Sequence, residues 1–247
     1  MESVSAILRD TMASPNEATR PAATTCACGA TLEPVWCPFP RPHWSTMTVC
    51  DECAARARQG QRDRELREAA CAKAVSRLRL SPLAERMTLD AYRPVTSSQE
   101  AALAAVASGT SVWLHGAPGV GKTHLATAAA LQAASTGEHV ERWLVSEFAA
   151  SVRADAMGDG AEVTIRALKA AALVVLDDIG AERPTPIVVE SLHRIIDYRY
   201  ERGTRVIVTS NAAPSVVARA IGARVHSRLL GMCKVVHMTG PDSRLTR

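Results

Sequence analysis

The sequence predicts an α/β protein in which helices cover both faces of a parallel sheet, with a small cysteine-rich module in front. Helical and extended patterns alternate after Pro94, which is typical of a parallel sheet joined by helices. The run 172–177 is short and mostly apolar, as expected of a strand buried on both faces. Five of the seven cysteines precede residue 54, which predicts the module. The length of 247 residues suits one domain with a small appendage.

Composition and charge exclude several classes of protein. Apolar residues make up 47% and charged residues 22% of the chain, which argues against a wholly disordered protein. No apolar run is long enough for a transmembrane helix, and no secretory signal pattern opens the sequence, so we expect a soluble, cytoplasmic protein without a membrane partner. The net charge of +4 is too small to indicate nucleic-acid binding by itself.

Composition shifts along the chain predict four segments. Residues 1–25 are rich in Ser, Pro, Asn and Thr and are predicted to be a flexible N-terminus. Residues 26–53 hold the cysteines and several prolines, which exclude a regular helix there. Residues 54–80 are rich in Ala, Arg, Glu and Gln and predict a basic linker helix, ended by Pro82. The large α/β domain is predicted over residues 81–247.

Within the large domain, hydrophobic periodicity predicts each element in order. The predicted helices cover residues 97–107, 122–135, 146–157, 162–169 and 187–202. The predicted strands cover residues 111–115, 140–145, 172–177, 205–210 and 234–238.

Residues 116–123 have the sequence Gly-Ala-Pro-Gly-Val-Gly-Lys-Thr, which matches every fixed position of the phosphate-binding loop. Glycines let successive backbone N–H groups turn towards phosphates, and the N-terminus of the following helix favours negative charge. Lys122 is expected to contact the β and γ phosphates of ATP, and the Thr123 hydroxyl to bind Mg²⁺. The predicted nucleotide-binding residues are Gly116, Ala117, Pro118, Gly119, Val120, Gly121, Lys122, Thr123 and His124.

An apolar strand that ends in two carboxylates follows about 55 residues after the loop. Asp177 is predicted to lie near Mg²⁺, and Asp178 to polarise the attacking water. The Asp178 side chain is one methylene shorter than that of glutamate. The length of the side chain determines whether a general base can hydrogen-bond to the attacking water. A protein that binds ATP but hydrolyses it slowly therefore stays an open alternative.

The cysteine cluster predicts a structural zinc site, since clustered cysteines in a chain without an export signal favour metal over disulfides. Tetrahedral Zn²⁺ needs four ligands, commonly supplied by two cysteine pairs. The predicted ligands are Cys26, Cys28, Cys50 and Cys53. The first pair is irregular, because Cys26 and Cys28 are separated by one residue instead of two. The alternative is that Cys37 supplies the fourth thiolate, with His43 as a weaker substitute.

Taken together, these motifs and several further blocks make residues 81–247 resemble the DnaC/DnaI-type replicative helicase loaders. IstB-type transposition helper ATPases share the same blocks. The blocks are residues 113–126, 176–182, 195–200 and 208–211, in the order and spacing of the family. The resemblance implies a P-loop AAA+ ATPase core, so the full expectation is an α/β AAA+ domain with an N-terminal zinc-binding module and linker helix.

The resemblance also implies roles for three further residues. Asn211 matches the sensor-1 residue, which contacts the γ-phosphate or its water. Arg228 matches the arginine finger, which acts on ATP held by a neighbouring subunit, with Arg224 as the second candidate. Arg244 matches the sensor-2 arginine, which contacts phosphate within its own chain.

Basic residues are concentrated between residues 199 and 247, and such a region suits phosphate-containing partners. Three of these basic residues, Arg199, Arg202 and Arg205, are predicted to be ordinary surface charges.

By resemblance, we expect an ATP-dependent loader of the replicative DNA helicase that uses ATP, Mg²⁺ and Zn²⁺. The N-terminal module would bind the helicase hexamer, and the ATPase domains would associate side by side to place it on single-stranded DNA. A transposition helper ATPase and a nucleotide-gated adaptor are the alternatives. The cysteine module favours the loader, because such a module recurs among loaders and is generally lacking in the transposition helpers.

Overall fold

The computed structural model describes residues 19–37, 43–154, 160–180 and 185–244. The chain divides at Arg67 into two units, each of which is described separately below. Most of the predicted flexible N-terminus and the end of the predicted helix 146–157 lie outside the described residues. No helix within the described ranges has both the length and the apolar character needed to cross a membrane.

The first unit contains two small antiparallel hairpins. Strand β1 (Thr24–Thr25) pairs with β2 (Thr31–Leu32), and β3 (Val35–Cys37) pairs with β4 (His43–Ser45). Trp36 and Trp44 lie opposite each other in the second hairpin, with ring centroids 5.3 Å apart in an edge-to-face arrangement. Cross-strand aromatic pairs of this kind stabilise short hairpins.

Helix α1 (Asp51–Arg77) begins three residues earlier than the sequence predicts and ends three residues earlier. Two acidic residues in its first turn, Asp51 and Glu52, favour that start because they oppose the partial positive charge of a helix N-terminus. No residue of α1 is buried.

The second unit is built on a five-stranded parallel sheet within the described residues. Its strands are β5 (Val112–Gly116), β6 (Val140–Leu144), β7 (Leu173–Asp177), β8 (Arg205–Ser210) and β9 (Lys234–Met238). The strand order is β6-β7-β8-β5-β9, and every pairing is parallel. The predicted parallel sheet is therefore confirmed, and the carboxyl ends of its strands meet along one edge.

Helices cover the sheet on both faces. They are α2 (Ser97–Ala107), α3 (Lys122–Ser135), α4 (Val145–Ala154), α5 (Gly160–Ala170), α6 (Pro186–Arg202), α7 (Pro214–Ile221) and α8 (Ala223–Met232). The last two were absent from the predicted elements. Two residues mark the boundaries of these helices in the sequence. Pro214 lies in the first turn of α7, and Gly222, with φ of +86°, lies between the two helices.

Alternating strand residues divide the core into two layers. On one face, Trp113, Leu176 and Val208 pack in a layer that includes residues of α4 to α8. On the other face, Leu114 and Val175 pack with residues of α2 and α3. All five residues of β7 are buried, as expected of a central strand in a parallel sheet.

Arg199 is fully buried, so the prediction that it is a surface charge was wrong. Its guanidinium group donates to the carbonyl oxygens of Leu168 and Ala171, both at 2.9 Å, and to those of Ala172 and Arg205. It therefore binds carbonyls at and just after the C-terminus of α5. Burial lowers the pKa of Arg199 to about 10, so the group stays charged at neutral pH. Arg202 is exposed, as predicted.

We expect Arg199→Ala to lower the free energy of unfolding by about 3 kcal/mol or more, because several buried carbonyls lose their donor. In a domain of this size that corresponds to a fall of roughly 6–12 °C in Tm. Arg202→Ala is the matched control, since Arg202 lies one turn away and stacks on the Tyr198 ring at the surface. Equal melting temperatures of the two variants would show that the buried contacts contribute little.

Candidate functional site

The phosphate-binding loop connects β5 to α3, and its glycines are required by backbone conformation and by close neighbours. Gly119 has φ of +79°, and a Cβ atom there would lie 1.9 Å from Oδ1 of Asp242. Gly121 has φ of +99° and precedes α3, where a Cβ atom would lie 2.6 Å from the Tyr92 ring. Larger residues would be strained at both positions, so the loop conformation depends on these glycines.

Lys122 lies in the first turn of α3, with 6% of its surface exposed. Its Nζ donates to the carbonyl oxygens of Gly116 and Ala117, both at 2.8 Å. Burial is the main cause that lowers the pKa of Lys122, and the charges of Asp178 and Asp177 oppose that shift. The ammonium group is thus held at the loop, where phosphate oxygens could replace the two carbonyls as acceptors.

Asp177, at the end of β7, is bound by three donors. Its Oδ1 accepts from the Thr123 hydroxyl at 3.0 Å and from the Thr209 hydroxyl at 2.6 Å. Its Oδ2 accepts from Nη2 of Arg142 at 2.8 Å. A hydroxyl and a carboxylate this close together are the oxygen ligands that Mg²⁺ prefers, so Thr123 and Asp177 fit the predicted metal role.

The structure also brings Asp178 and Asn211 together. Nδ2 of Asn211 donates to Oδ1 of Asp178 at 2.7 Å. Asp178 has φ of +60°, a left-handed conformation that aspartate tolerates better than most residues. Its backbone N–H donates to the Thr209 hydroxyl at 2.8 Å, so Thr209 contacts both neighbouring carboxylate residues.

Sequence reasoning missed Thr209 and Arg142 as parts of this site. Thr209 lies two residues before Asn211, in a block already singled out, and its strand position is the signal that could have found it. Arg142 is a charged residue within strand β6, beside buried β7, and such a charge needs a partner.

The segment that follows β9 binds the loop. The backbone N–H and the hydroxyl of Ser243 donate to the carbonyl oxygen of Gly119, at 3.1 and 2.8 Å. The backbone N–H of Arg244 donates to Oδ1 of Asp242 at 2.9 Å. The charge of Arg244 is a smaller cause, after burial, of the lowered pKa of Lys122, and contact of Arg244 with phosphate stays a prediction.

The His124 side chain is directed towards residues 88–92. Its Nε2 donates to the carbonyl oxygen of Thr88 at 2.9 Å, and its ring meets that of Tyr92 edge to face. The Tyr92 hydroxyl in turn donates to the carbonyl oxygen of Val120 at 3.3 Å. Contact of His124 with nucleotide stays a prediction.

Arg228 and Arg224 lie on α8 and bind one carboxylate on α6 of their own chain. Nε of Arg228 donates to Oδ1 of Asp197 at 3.2 Å, and Nη2 of Arg224 donates to Oδ2 at 2.7 Å. The Arg228 guanidinium also stacks on the Tyr200 ring at 4.4 Å. Its side chain keeps 34% of its surface exposed, and the role of Arg228 towards a neighbouring subunit stays a prediction.

Four cysteine thiols of the first unit converge. The sulfur atoms of Cys26, Cys28, Cys50 and Cys53 all lie within 4.8 Å of one another. The sulfurs of Cys28 and Cys50 are 3.6 Å apart, close to the spacing of about 3.8 Å that tetrahedral zinc with 2.3 Å bonds requires.

The backbone around the cluster supports metal binding. A turn closed by the Gly29 N–H and the Cys26 carbonyl, 2.8 Å apart, carries the first pair, and the second pair lies at the start of α1. Backbone N–H groups of Cys28 and Cys50 are the main cause that lowers the pKa of Cys26 to about 6, whereas hydrogen bonds with the Cys28, Cys50 and Cys26 side chains raise the pKa of Cys53 to about 12. A thiolate is the form that binds metal. Within the described residues, Cys37 and His43 are not part of the cluster.

We expect protein purified without chelator to contain one zinc per chain. Cys26→Ser should release the metal, because it removes a thiolate from a tetrahedral site, whereas Cys37→Ser should retain it. Elemental analysis of the purified variants provides the measurement. Loss of zinc from Cys37→Ser, with full retention in Cys26→Ser, would assign the fourth ligand to Cys37.

Comparisons with known proteins identify a family of ATP-binding proteins. The family model described as IstB-like ATP binding protein matches residues 45–247. An ATP-binding protein of a Mycobacterium tuberculosis insertion sequence is 30% identical over 153 residues, covering 58% of this chain and 59% of that protein. The IS21 ATP-binding protein of Pseudomonas aeruginosa is 32% identical over 150 residues, covering 59% of this chain and 56% of that protein. The match thus spans less than two thirds of either relative.

Solved structures show the same fold. The DnaC helicase loader superposes with a TM-score of 0.57 and 25% identity, covering 64% of this chain and 100% of that one. DnaI superposes with a TM-score of 0.58 and 20% identity, covering 66% of this chain and 93% of that one. The large unit therefore has the AAA+ P-loop fold. Since the family model matches most of the sequence, the chain belongs to the IstB-like ATP-binding protein family.

Proposed function

We propose that the protein is an ATP-dependent loader that places the replicative DNA helicase on single-stranded DNA. One observation carries the proposal: a four-cysteine module precedes an ATPase domain similar to the DnaC helicase loader. Cys26 and Cys28 lie before residue 45, where the family match begins, whereas Cys50 and Cys53 lie within it, so the match covers half of the cluster. The reduced, clustered thiols fit a protein that works in the cytoplasm.

The site residues support ATP hydrolysis. Lys122 would contact the transferred phosphate, and Thr123 and Asp177 would hold Mg²⁺, which neutralises charge on the β and γ phosphates when bound. Asp178 accepts from Asn211 through Oδ1 and would accept a water proton through Oδ2. Arg244 would contact phosphate from the segment that binds Gly119.

Self-association would complete the site in this proposal. Arg228 would leave Asp197 and contact the ATP of a neighbouring subunit, where its charge stabilises the transferring phosphate. Asp197 also binds Arg224 at 2.7 Å, so its charge would stay paired when Arg228 moves. The module, held together by zinc, would bind the helicase hexamer.

A transposition helper ATPase is the second candidate. Two curated relatives are ATP-binding proteins of insertion sequences, which is the observation that favours it. Such a protein would assemble on duplex DNA and direct a transposase, with no role assigned to the cysteine module.

A loading assay tests the proposal. A labelled oligonucleotide is annealed to a closed single-stranded circle, and the replicative helicase of the source organism is added with ATP. We expect strand release to require the protein and ATP, and to be lost in Cys53→Ser while ATP binding persists. Turnover stimulated by duplex DNA, without any effect on helicase activity, would contradict the proposal and favour the transposition helper.

A further inference from the structure

Arg142 places a cation directly beside the carboxylate that ends β7. Its Nη2 lies 2.8 Å from Oδ2 of Asp177, and the side chains are only 20% and 3% exposed. Nε of Arg142 is buried and has no hydrogen-bond partner in the described structure. The guanidinium group is therefore held in the site by one ion pair, whereas Arg199, whose Nε also lacks a partner, donates to four carbonyl oxygens.

The two oxygen atoms of the Asp177 carboxylate have different hydrogen-bond partners. Oδ1 accepts from the hydroxyls of Thr123 and Thr209, whereas Oδ2 accepts only from Arg142 among the described contacts. Thr123 and Asp177 are the residues that fit Mg²⁺. The Arg142 charge fixes the carboxylate orientation towards Thr123, and it also opposes a second cation beside the same carboxylate.

We propose that Arg142 is a positioning residue that orients Asp177 and sets the Mg²⁺ concentration needed for nucleotide binding. The inference rests on the ATP binding that the proposed function includes, and it does not depend on the helicase as partner. Its physical basis is the positive charge, which raises the Mg²⁺ requirement because like charges repel strongly at a site shielded from water.

Two substitutions of Arg142 distinguish the effect of its charge from the effect of its hydrogen bond. Arg142→Gln keeps a donor but removes the charge, and Arg142→Lys keeps the charge without the planar fork. Binding of a fluorescent ATP analogue is measured at increasing Mg²⁺, together with the melting temperature. We expect Arg142→Gln to lower the half-saturating Mg²⁺ concentration about threefold or more. Arg142→Lys should stay within about twofold of the unmodified protein, since its charge is retained.

Arg153→Gln is the matched control, because it removes one exposed positive charge from α4, outside the site. An unchanged or higher Mg²⁺ requirement in Arg142→Gln would overturn the inference, as would the same shift in Arg153→Gln. Arg142→Met provides a second charge-free variant, and a failure of both charge-free variants to fold would assign Arg142 a structural role only. Normal Mg²⁺-dependent binding with no helicase loading would contradict the proposed function alone.

Discussion

Lys122→Ala is expected to reduce ATP binding and turnover by about 100-fold or more, since a charge-assisted contact to phosphate is lost from a buried site. The side chain is 6% exposed, and its ammonium group lies between two loop carbonyls. Within residues 116–123 it is the only lysine, so no neighbour in the loop can replace it. Lys122→Arg should also lose activity, because the larger planar group does not fit the same two acceptors.

Lys234→Ala is the control for this prediction. Lys234 is exposed at the start of β9, at the opposite end of the sheet from the loop. Calorimetric titration with ATP and a phosphate-release assay measure both variants. Turnover by Lys122→Ala equal to that of Lys234→Ala would remove the basis for assigning the loop to ATP.

Arg228→Ala is expected to keep ATP affinity and to lose turnover by about 10³-fold, the lower end of the effect of an arginine supplied by a neighbouring subunit in GTPases. Asp178→Asn should lose turnover by a separate route, through its water. Asparagine suits the left-handed conformation at this position, and its amide oxygen can still accept from Asn211. Arg228→Ala therefore removes a group that acts on the ATP of the neighbouring subunit, whereas Asp178→Asn removes a group that acts on the ATP of its own subunit.

Mixing the two variants tests whether Arg228 acts on the ATP of a neighbouring subunit. A subunit with Arg228→Ala keeps Asp178 and can use Arg228 of an Asp178→Asn neighbour, so part of the turnover should return. Phosphate release is followed as the mixing ratio changes, with size-exclusion chromatography to show that the variants associate. If associated mixtures recover nothing, Arg228 does not act between subunits, and Arg224→Ala becomes the variant to examine.

The parallel sheet and the loop could be predicted because their signals are local. The apolar run at β7 and the glycines of residues 116–123 determine backbone conformation within a few residues of themselves. The convergence of the two cysteine pairs followed from zinc chemistry, and the structure selects Cys26 over Cys37 for the cluster. The strand and the loop needed no knowledge of contacts between distant segments, and the cysteine pairs were joined by the need of Zn²⁺ for four ligands.

The features that could not be predicted depend on such contacts. Arg199 is buried because carbonyls at and just after the C-terminus of α5, about 30 residues earlier, need a donor, and nothing near Arg199 in the sequence indicates this. Arg142 meets Asp177 only because β6 pairs with β7. Helices α7 and α8 are short, and the glycine between them interrupts the periodicity that predicts a helix.

Co-purification tests the central proposal, that this ATP-binding protein serves the replicative helicase through its cysteine module. Tagged protein is recovered from lysate of the source organism with ATP present, and the bound proteins are quantified by mass spectrometry. We expect the replicative helicase to be enriched with the unmodified protein and lost with Cys50→Ser, while the Lys122 site still binds ATP. Recovery of a transposase in its place, or of helicase in equal amount with Cys50→Ser, would contradict the account.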